Sequence, residues 1–437
     1  MFGKLNVEVV LKDARRMKVD ALCTMIKEEL KETSVCLGDR ITNFKTAGLA
    51  EYLDYIHVCD YEKSKPQNCD PGQDDAAGGD NLSGARPLKI NPAELNLFLY
   101  RLNRDGSSSE CLEDEGQTTA ASYTELPSAL YEGLWESLIF DSDIKNTLLQ
   151  YARTMLLYSK CGVDPLIVAC NRVVLLHGPP GTGKTSLCKA LAHKLAIRLQ
   201  TLFSKAILVE INTHSLFSKY FSESGKLVSK MFTKILEMVQ IPDMLTCILV
   251  DEVESLTHSR AAASQGTEPS DAVRVVNAVL THLDHLKAYP NVLVLTTSNI
   301  SKAIDIAFID RADLRVLIPN PSSFAIYTIY HSCIEELIKK HILVGPCPKR
   351  ISEITEFGNF DPIKSGLHDG NKELIELARI SEGLSGRALR KVALRVHATL
   401  IPPELNIRAT EFIATMATAV KHIKEEMDAL SQTYIFK

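Results

Sequence analysis

Four groups of residues have the types and spacing to work on a polyphosphate. From Gly178 to Thr185 the chain reads GPPGTGKT. Glycines at 178, 181 and 183 let the backbone bend with its N–H groups pointing inward. Lys184 has the length to reach β and γ phosphates, and the Thr185 hydroxyl can ligate Mg²⁺. The expected cradle therefore comprises Gly178, Pro179, Pro180, Gly181, Thr182, Gly183, Lys184, Thr185 and Ser186. Further along, Asp251 and Glu252 follow an apolar run, 247–250. The first acid can organise Mg²⁺ through its water shell, and the second can polarise a water that attacks the γ phosphate. Capping the next helix is the plainer use of such a pair; the phosphate loop at a suitable separation favours catalysis. A third group, Thr297-Ser298-Asn299, offers a polar amide at a strand end to hold that water or touch the γ phosphate. Arg311 and Arg387 make the fourth. Alone, either could pair with a surface acid; beside an ATP site they suggest one arginine reaching across a subunit boundary and another folding over from a small helical domain.

These residues need elements to position them. Apolar segments at 173–176, 207–211, 247–250, 292–297 and 315–318 alternate with helical stretches. That pattern implies a parallel sheet with helices on both faces, whose ligands bind at the carboxyl ends of the strands. After the phosphate loop, Leu187, Ala190, Leu191 and Leu195 form a stripe that would pack one helix face on the sheet. From about residue 322 the pattern is helical, including 325–342. A final helix opens near Thr410, with Phe412, Met416, Ala419, Val420, Ile423 and Met427 on one expected buried stripe. Toward the N-terminus, 62–87 is rich in Asp, Gly, Asn, Pro and Ser and reads as a flexible insertion. The chain resumes as a strand over 95–102. Residues 105–125 carry six acids and no Lys or Arg, which reads as a solvated linker.

At 437 residues the chain is long enough for two or three domains. Hydrophobic residues at 45% and charged residues at 24% are ordinary globular usage, and no apolar run reaches a membrane span of about 18 residues. The first 18 residues lack the apolar core of a secretory signal, so an intracellular protein is expected. Eleven scattered cysteines without a Cys-x-x-Cys pair fit a reducing compartment and argue against disulfides and structural zinc. A formal charge of −5 argues against a dedicated nucleic-acid surface.

From about Tyr131 to the end, the chain resembles an AAA+ ATPase module. The resemblance implies an α/β fold: a large subdomain with a five-stranded parallel sheet (126–320), a helical lid (321–437), and, before the linker, a small α+β N-terminal domain (1–104). It assigns Walker A to Gly178 through Thr185, Walker B to the segment ending in Asp251 and Glu252, sensor 1 to Asn299, an arginine finger to Arg311 and sensor 2 to Arg387. Trp135 falls where this family builds its adenine pocket; a core role is equally open. Leu314 stands where many AAA proteins place a second finger, so the finger is expected to be single. In the segment KYFSESGK, Tyr220 takes the aromatic position of the first pore loop, with Phe221 beside it; an aromatic loop tip can grip chain of many sequences. GPPGTGKTSLCKALA, FSKYFSESGKLV, GTEPSDAVRVVNAVLT and GLSGRALRK together resemble the pachytene checkpoint protein 2 family, also called the thyroid receptor-interacting protein 13 family.

That resemblance implies an ATP- and Mg²⁺-dependent homohexamer converting HORMA-domain proteins from closed to open form. The N-terminal domain would bind a HORMA-like adaptor and client. Spindle assembly checkpoint and meiotic chromosome-axis roles are implied, in nucleus and cytoplasm at chromosomes or kinetochores, with no membrane and no direct nucleic-acid partner. A clamp-loader or replication-type switch acting on DNA would use the same ATP residues, but predicts a basic channel and no gripping aromatic. An ATP-binding scaffold without turnover is disfavoured by the presence of Asp251, Glu252, Asn299 and Arg311 together.

Overall fold

The computed structural model describes residues 4–12, 17–61, 90–111, 119–211, 213, 224–255, 270–299, 306–351, 369–401 and 405–435. The chain divides into two compact units, the first comprising Met1–Ser137, Asp143–Gly178 and Lys184–Leu317. Its N-terminal part is a four-stranded sheet of β1 (Leu5–Leu11), β2 (Arg40–Ile41), β3 (Leu53–Tyr61) and β4 (Leu95–Tyr100), ordered β2-β3-β1-β4. Strand β1 alternates: Leu5, Val7 and Val9 join a core with Leu22, Ile26 and Leu30 of α1 (Val19–Glu32). Its other face carries Glu8 and Val10. A short α2 (Leu49–Tyr52) leads into β3. The insertion read at 62–87 lies outside the described residues.

The stretch 105–125, expected as a linker, instead contributes β5 (Ser108–Cys111) and most of β6 (Thr119–Leu126). Charge content hid a strand in which Ala121 and Tyr123, two apart, join the core while Ser122 between them does not. The central sheet uses β7 (Val173–His177), β8 (Lys205–Ile211), β9 (Met244–Val250), β10 (Val292–Ser298) and β11 (Leu314–Leu317). Its order is β11-β7-β10-β9-β8-β6-β5. The five expected parallel strands are present, and antiparallel β6 and β5 extend the sheet to seven.

Among the described residues, the helices of this unit after β6 are α3 (Leu134–Ser137), α4 (Ile144–Lys160), α5 (Lys184–Arg198), α6 (Ser224–Val239), α7 (Ser270–Leu286) and α8 (Ile306–Arg311). Val228, Phe232 and Ile235 of α6 and Val279 and Leu283 of α7 share a core with Ile248 and Val250 of β9. Helix α5 packs on β8, β9 and β10. It is buried nearly all round rather than along the single expected stripe, down to His193, Lys194 and Arg198. A helix covered on every side lies between layers, here between the central sheet and the N-terminal sheet.

The second unit comprises Leu138–Ser142, Pro179–Gly183 and Ile318–Lys437. Helices α9 (Ser323–Lys339), α10 (Asp369–Ile380), α11 (Gly386–Thr399) and α12 (Ala409–Ile435) accompany a two-stranded ribbon of β12 (Leu343–Val344) and β13 (Ile407–Arg408). Tyr327, Tyr330 and Phe412 are fully buried at its centre. The Tyr330 hydroxyl donates to Ser381 Oγ at 2.8 Å, and that hydroxyl donates in turn to Leu377 O at 2.7 Å. The α12 stripe runs from Phe412 to Ile423 and stops there: Met427, expected inside, is 49% exposed because the helix outruns its neighbours' cover. Among the described residues no helix is long and apolar enough to cross a membrane.

Candidate nucleotide site

The phosphate loop leaves β7, which lies between β10 and β11. Chain passing from β7 to β8 goes one way and β11 lies on the other side, so the loop sits where the strand order reverses. Gly178, Gly181 and Gly183 have φ of 144°, 76° and 94°. Side chains avoid that region, so the glycines are a requirement of the turn. In the first unit, Gly178 N donates to Ser298 O at 3.2 Å. Lys184, 4% exposed, donates through its ammonium to Gly178 O at 2.9 Å. Thr185 and Ser186 follow in the first turn of α5, whose free N–H groups and dipole suit an anion. In the second unit, Thr182 Oγ1 donates to Pro179 O at 3.0 Å, while Pro180 is exposed. Arg387 N donates to Gly181 O at 3.0 Å, at the start of α11, and Ser385 caps that helix by accepting from Ala388 N. Arg387, expected as sensor 2, thus has its backbone beside Gly181 and its side chain exposed.

The acids occupy the carboxyl end of β9. Thr185 Oγ1 donates to Asp251 Oδ1 at 2.8 Å, and Thr297 Oγ1 donates to the same oxygen. Thr297 also accepts from Glu252 N at 3.2 Å, and Val253 N donates to Thr297 O at 3.0 Å. β10 thereby holds the turn after β9 in place. Glu252 has φ of 54°, an uncommon conformation for a side-chain-bearing residue and one that clusters at functional sites. Asn299 Nδ2 donates to Glu252 Oε1 at 3.2 Å. The Asn299 amide, expected as sensor 1, therefore orients the carboxylate expected to act as base. Oxygen donors at Thr185 and Asp251 this close together form the hard set that Mg²⁺ takes.

Thr297 and Glu254 were not singled out by sequence reasoning as working parts. Glu254, 6% exposed, accepts from Asn299 N at 2.9 Å and so fixes the Asn299 backbone. The only signal for it was a third acid two positions past Glu252. Trp135, left open between core and nucleotide, is 8% exposed, with the Lys145 ammonium 5.6 Å from its ring. Tyr220 and Phe221 lie outside the described residues.

Arg311 is not brought to this cluster. It ends α8 and makes a two-pronged ion pair with Asp284 of α7, Nε to Oδ1 at 3.0 Å and Nη2 to Oδ2 at 2.7 Å. Hydrogen bonding from Arg311, against a smaller effect of burial, holds the Asp284 carboxyl down at about 2. Its backbone is tied to the start of β7: Asn171 Nδ2 donates to Arg311 O at 3.1 Å, and Val173 N to Asp313 Oδ2 at 3.0 Å. Gly178 follows the other end of that strand. At roughly 3.3 Å per residue, the five residues of β7 separate the two by about 16 Å.

Comparison with known proteins agrees with this geometry. Residues 174–320 match the family described as ATPase family associated with various cellular activities (AAA), and residues 322–424 match the TRIP13-like AAA+ ATPase lid C-terminal domain. Pachytene checkpoint protein 2 homolog from Canis lupus familiaris is 44% identical over 430 residues, covering 98% of this chain and 95% of the relative. The solved structure of C. elegans PCH-2 is similar with a TM-score of 0.76 at 30% identity, over 97% of this chain and 100% of that one. Trip13 is named in a solved E. coli HORMA:CdnC:Trip13 complex, to which the chain is similar with a TM-score of 0.52 at 17% identity, covering 69% and 94% of the two chains; at that identity the likeness concerns the fold. With Thr185, Asp251, Glu252 and Asn299 already joined by hydrogen bonds at the strand ends, this chain is an ATPase and belongs to the pachytene checkpoint protein 2 family.

Proposed function

We propose that this chain is a hexameric remodeller that uses ATP hydrolysis to unfold part of a HORMA-domain protein, converting its closed form to the open one. The observation that carries the reading is the separation of Arg311 from the chain's own phosphate loop. Both flank β7 at opposite ends, so the arginine's reach serves a nucleotide held by a neighbouring copy. A closed ring of head-to-tail contacts supplies every site with such a neighbour. In that arrangement Lys184 holds the β and γ phosphates, Glu252 accepts the proton of the attacking water, and Asn299 keeps the Glu252 carboxylate aimed. Thr185 and Asp251 would hold Mg²⁺, which when bound offsets charge on the phosphates. An arginine supplied in trans is worth about 10³- to 10⁵-fold in related NTPases.

Tyr220, with Phe221, would grip the client in the channel, and a HORMA-like adaptor would present it to the N-terminal domain. The client class comes from the family and is consistent with the HORMA component of the bacterial complex. Spindle-checkpoint control and meiotic chromosome-axis regulation, in nucleus and cytoplasm, are the settings proposed. Hydrolysis measured with a HORMA client plus adaptor, and separately with DNA, tests the reading. Stimulation by client and adaptor alone is expected. Stimulation by DNA and none by the HORMA pair would replace it with a DNA-acting switch.

A further inference from the structure

Just before β7, at the end that carries Arg311, lie the two most exposed large aliphatic side chains among the described residues, Leu166 at 93% and Ile167 at 81%, with Val168 beside them at 43%. They are not on a slack loop. Asp164 organises the turn: its carboxylate accepts from Leu166 N at 2.9 Å, and its carbonyl from Ile167 N at 3.1 Å and Val168 N at 3.0 Å. Val163 N donates to Tyr158 O at 3.1 Å, which fastens the turn to the end of α4. Local hydrogen bonds thus hold apolar groups in water, where a slack turn would fold them away.

The turn is continuous with the arginine edge. Asn171, three residues past Val168, donates from its side chain to Arg311 O and from its backbone to Asp313 Oδ1 at 2.9 Å. From α4, Tyr151, 39% exposed, donates to Asp313 O at 3.2 Å, and Tyr158, 44% exposed, lies seven residues on along the same helix face. Aliphatic and tyrosine side chains beside an arginine are the composition of an interface centre.

We propose that the turn 164–168 is the apolar anchor by which a second copy of this chain docks along the Arg311 edge. The proposal rests on the reading that Arg311 serves a neighbour's nucleotide. A second copy is the occupant because this edge holds the one group whose work needs another chain's triphosphate. Seating the turn would bring Arg311 up to that site and exclude water from the seam.

The test uses the full chain. Assembly with a slowly hydrolysed ATP analogue is followed by sedimentation across protein concentration, for wild type, Leu166→Asp/Ile167→Asp and Arg311→Ala. Binding of a fluorescent ATP analogue to dilute protein reports whether the fold is intact. The double variant is expected to bind nucleotide as wild type does but to need at least about tenfold more protein to assemble. Arg311→Ala is expected to assemble normally and lose hydrolysis. Assembly of the double variant at wild-type concentrations overturns the anchor alone; a wild-type chain that never assembles overturns the trans reading and the anchor with it. Should the aspartates impair nucleotide binding, Leu166→Ser/Ile167→Thr is judged by the same two readings.

Discussion

At the residue scale, the catalytic end of β9 is a chain of hydrogen bonds in which each side chain holds the next. Thr297 fixes both the Asp251 carboxylate and the Glu252 backbone, Asn299 fixes the Glu252 carboxylate, and Glu254 fixes Asn299. Glu252→Gln preserves an oxygen for Asn299 to bond and removes only the ability to take a proton. Its hydrolysis is expected to fall by about 10²- to 10⁴-fold, the usual worth of a positioned general base, with ATP affinity retained. Single-turnover hydrolysis beside equilibrium binding checks this; undiminished hydrolysis would remove Glu252 from the base role. The phosphate loop, both acids and Asn299 were legible in the sequence because each follows an apolar strand segment, and parallel strands deliver their carboxyl ends to one edge. Asp284 was not legible. It is an ordinary polar position near the end of a helix, and its role as partner of Arg311 exists only once α7 and α8 have been packed.

At the element scale, α5 connects two chemistries. It begins at Lys184 of the phosphate loop and ends with Lys194 and Arg198 buried against the N-terminal sheet. Lys194 Nζ lies 2.8 Å from Glu8 and 3.2 Å from Glu136, while Arg198 lies 2.9 Å from Glu8 and 3.3 Å from Asp60. Burial alone would raise the Glu8 carboxyl, but the two cations hold it at about 2. Glu8, His57 and Cys59 present ligand atoms within 4.8 Å of one another, and Lys194 already supplies a cation there. The parallel strands were visible as apolar runs, yet this network was not. Lys194 and Arg198 occupy positions i and i+4, which in a sequence read as a solvated face, but the N-terminal sheet, with Trp135 and Glu136 of α3 over Lys194, covers them. A buried charge left without its counter-charge is costly, whereas an apolar pair of similar size is tolerated. Glu8→Leu is therefore expected to lower stability by about 3 kcal/mol, and adding Lys194→Met to recover at least about 1 kcal/mol. Urea unfolding of the four members of the cycle measures this; strictly additive losses would show that the two side chains are not coupled.

At the scale of the whole molecule, the acids face one end of the sheet and Arg311 is anchored at the other, paired with Asp284, so under the proposed trans reading a single chain lacks one part of its catalyst. Two defective chains should therefore repair one another. An Arg311→Ala subunit keeps an intact nucleotide site but lends no arginine, and a Glu252→Gln subunit lends its arginine but cannot activate water. Alone, each is expected to be nearly inactive, the first by the roughly 10³- to 10⁵-fold value of a trans arginine. Mixed in equal amounts and allowed to exchange before ATP is added, about a quarter of the seams in a head-to-tail ring join an intact site to an intact arginine. Single-turnover hydrolysis should then rise far above the mean of the separate variants, to roughly a quarter of wild type. If Arg311 instead acted on its own chain's nucleotide, every subunit in the mixture would retain its own defect and the rates would simply average. Recovery on mixing is therefore a direct reading of which chain's triphosphate the arginine serves, independent of any client or adaptor.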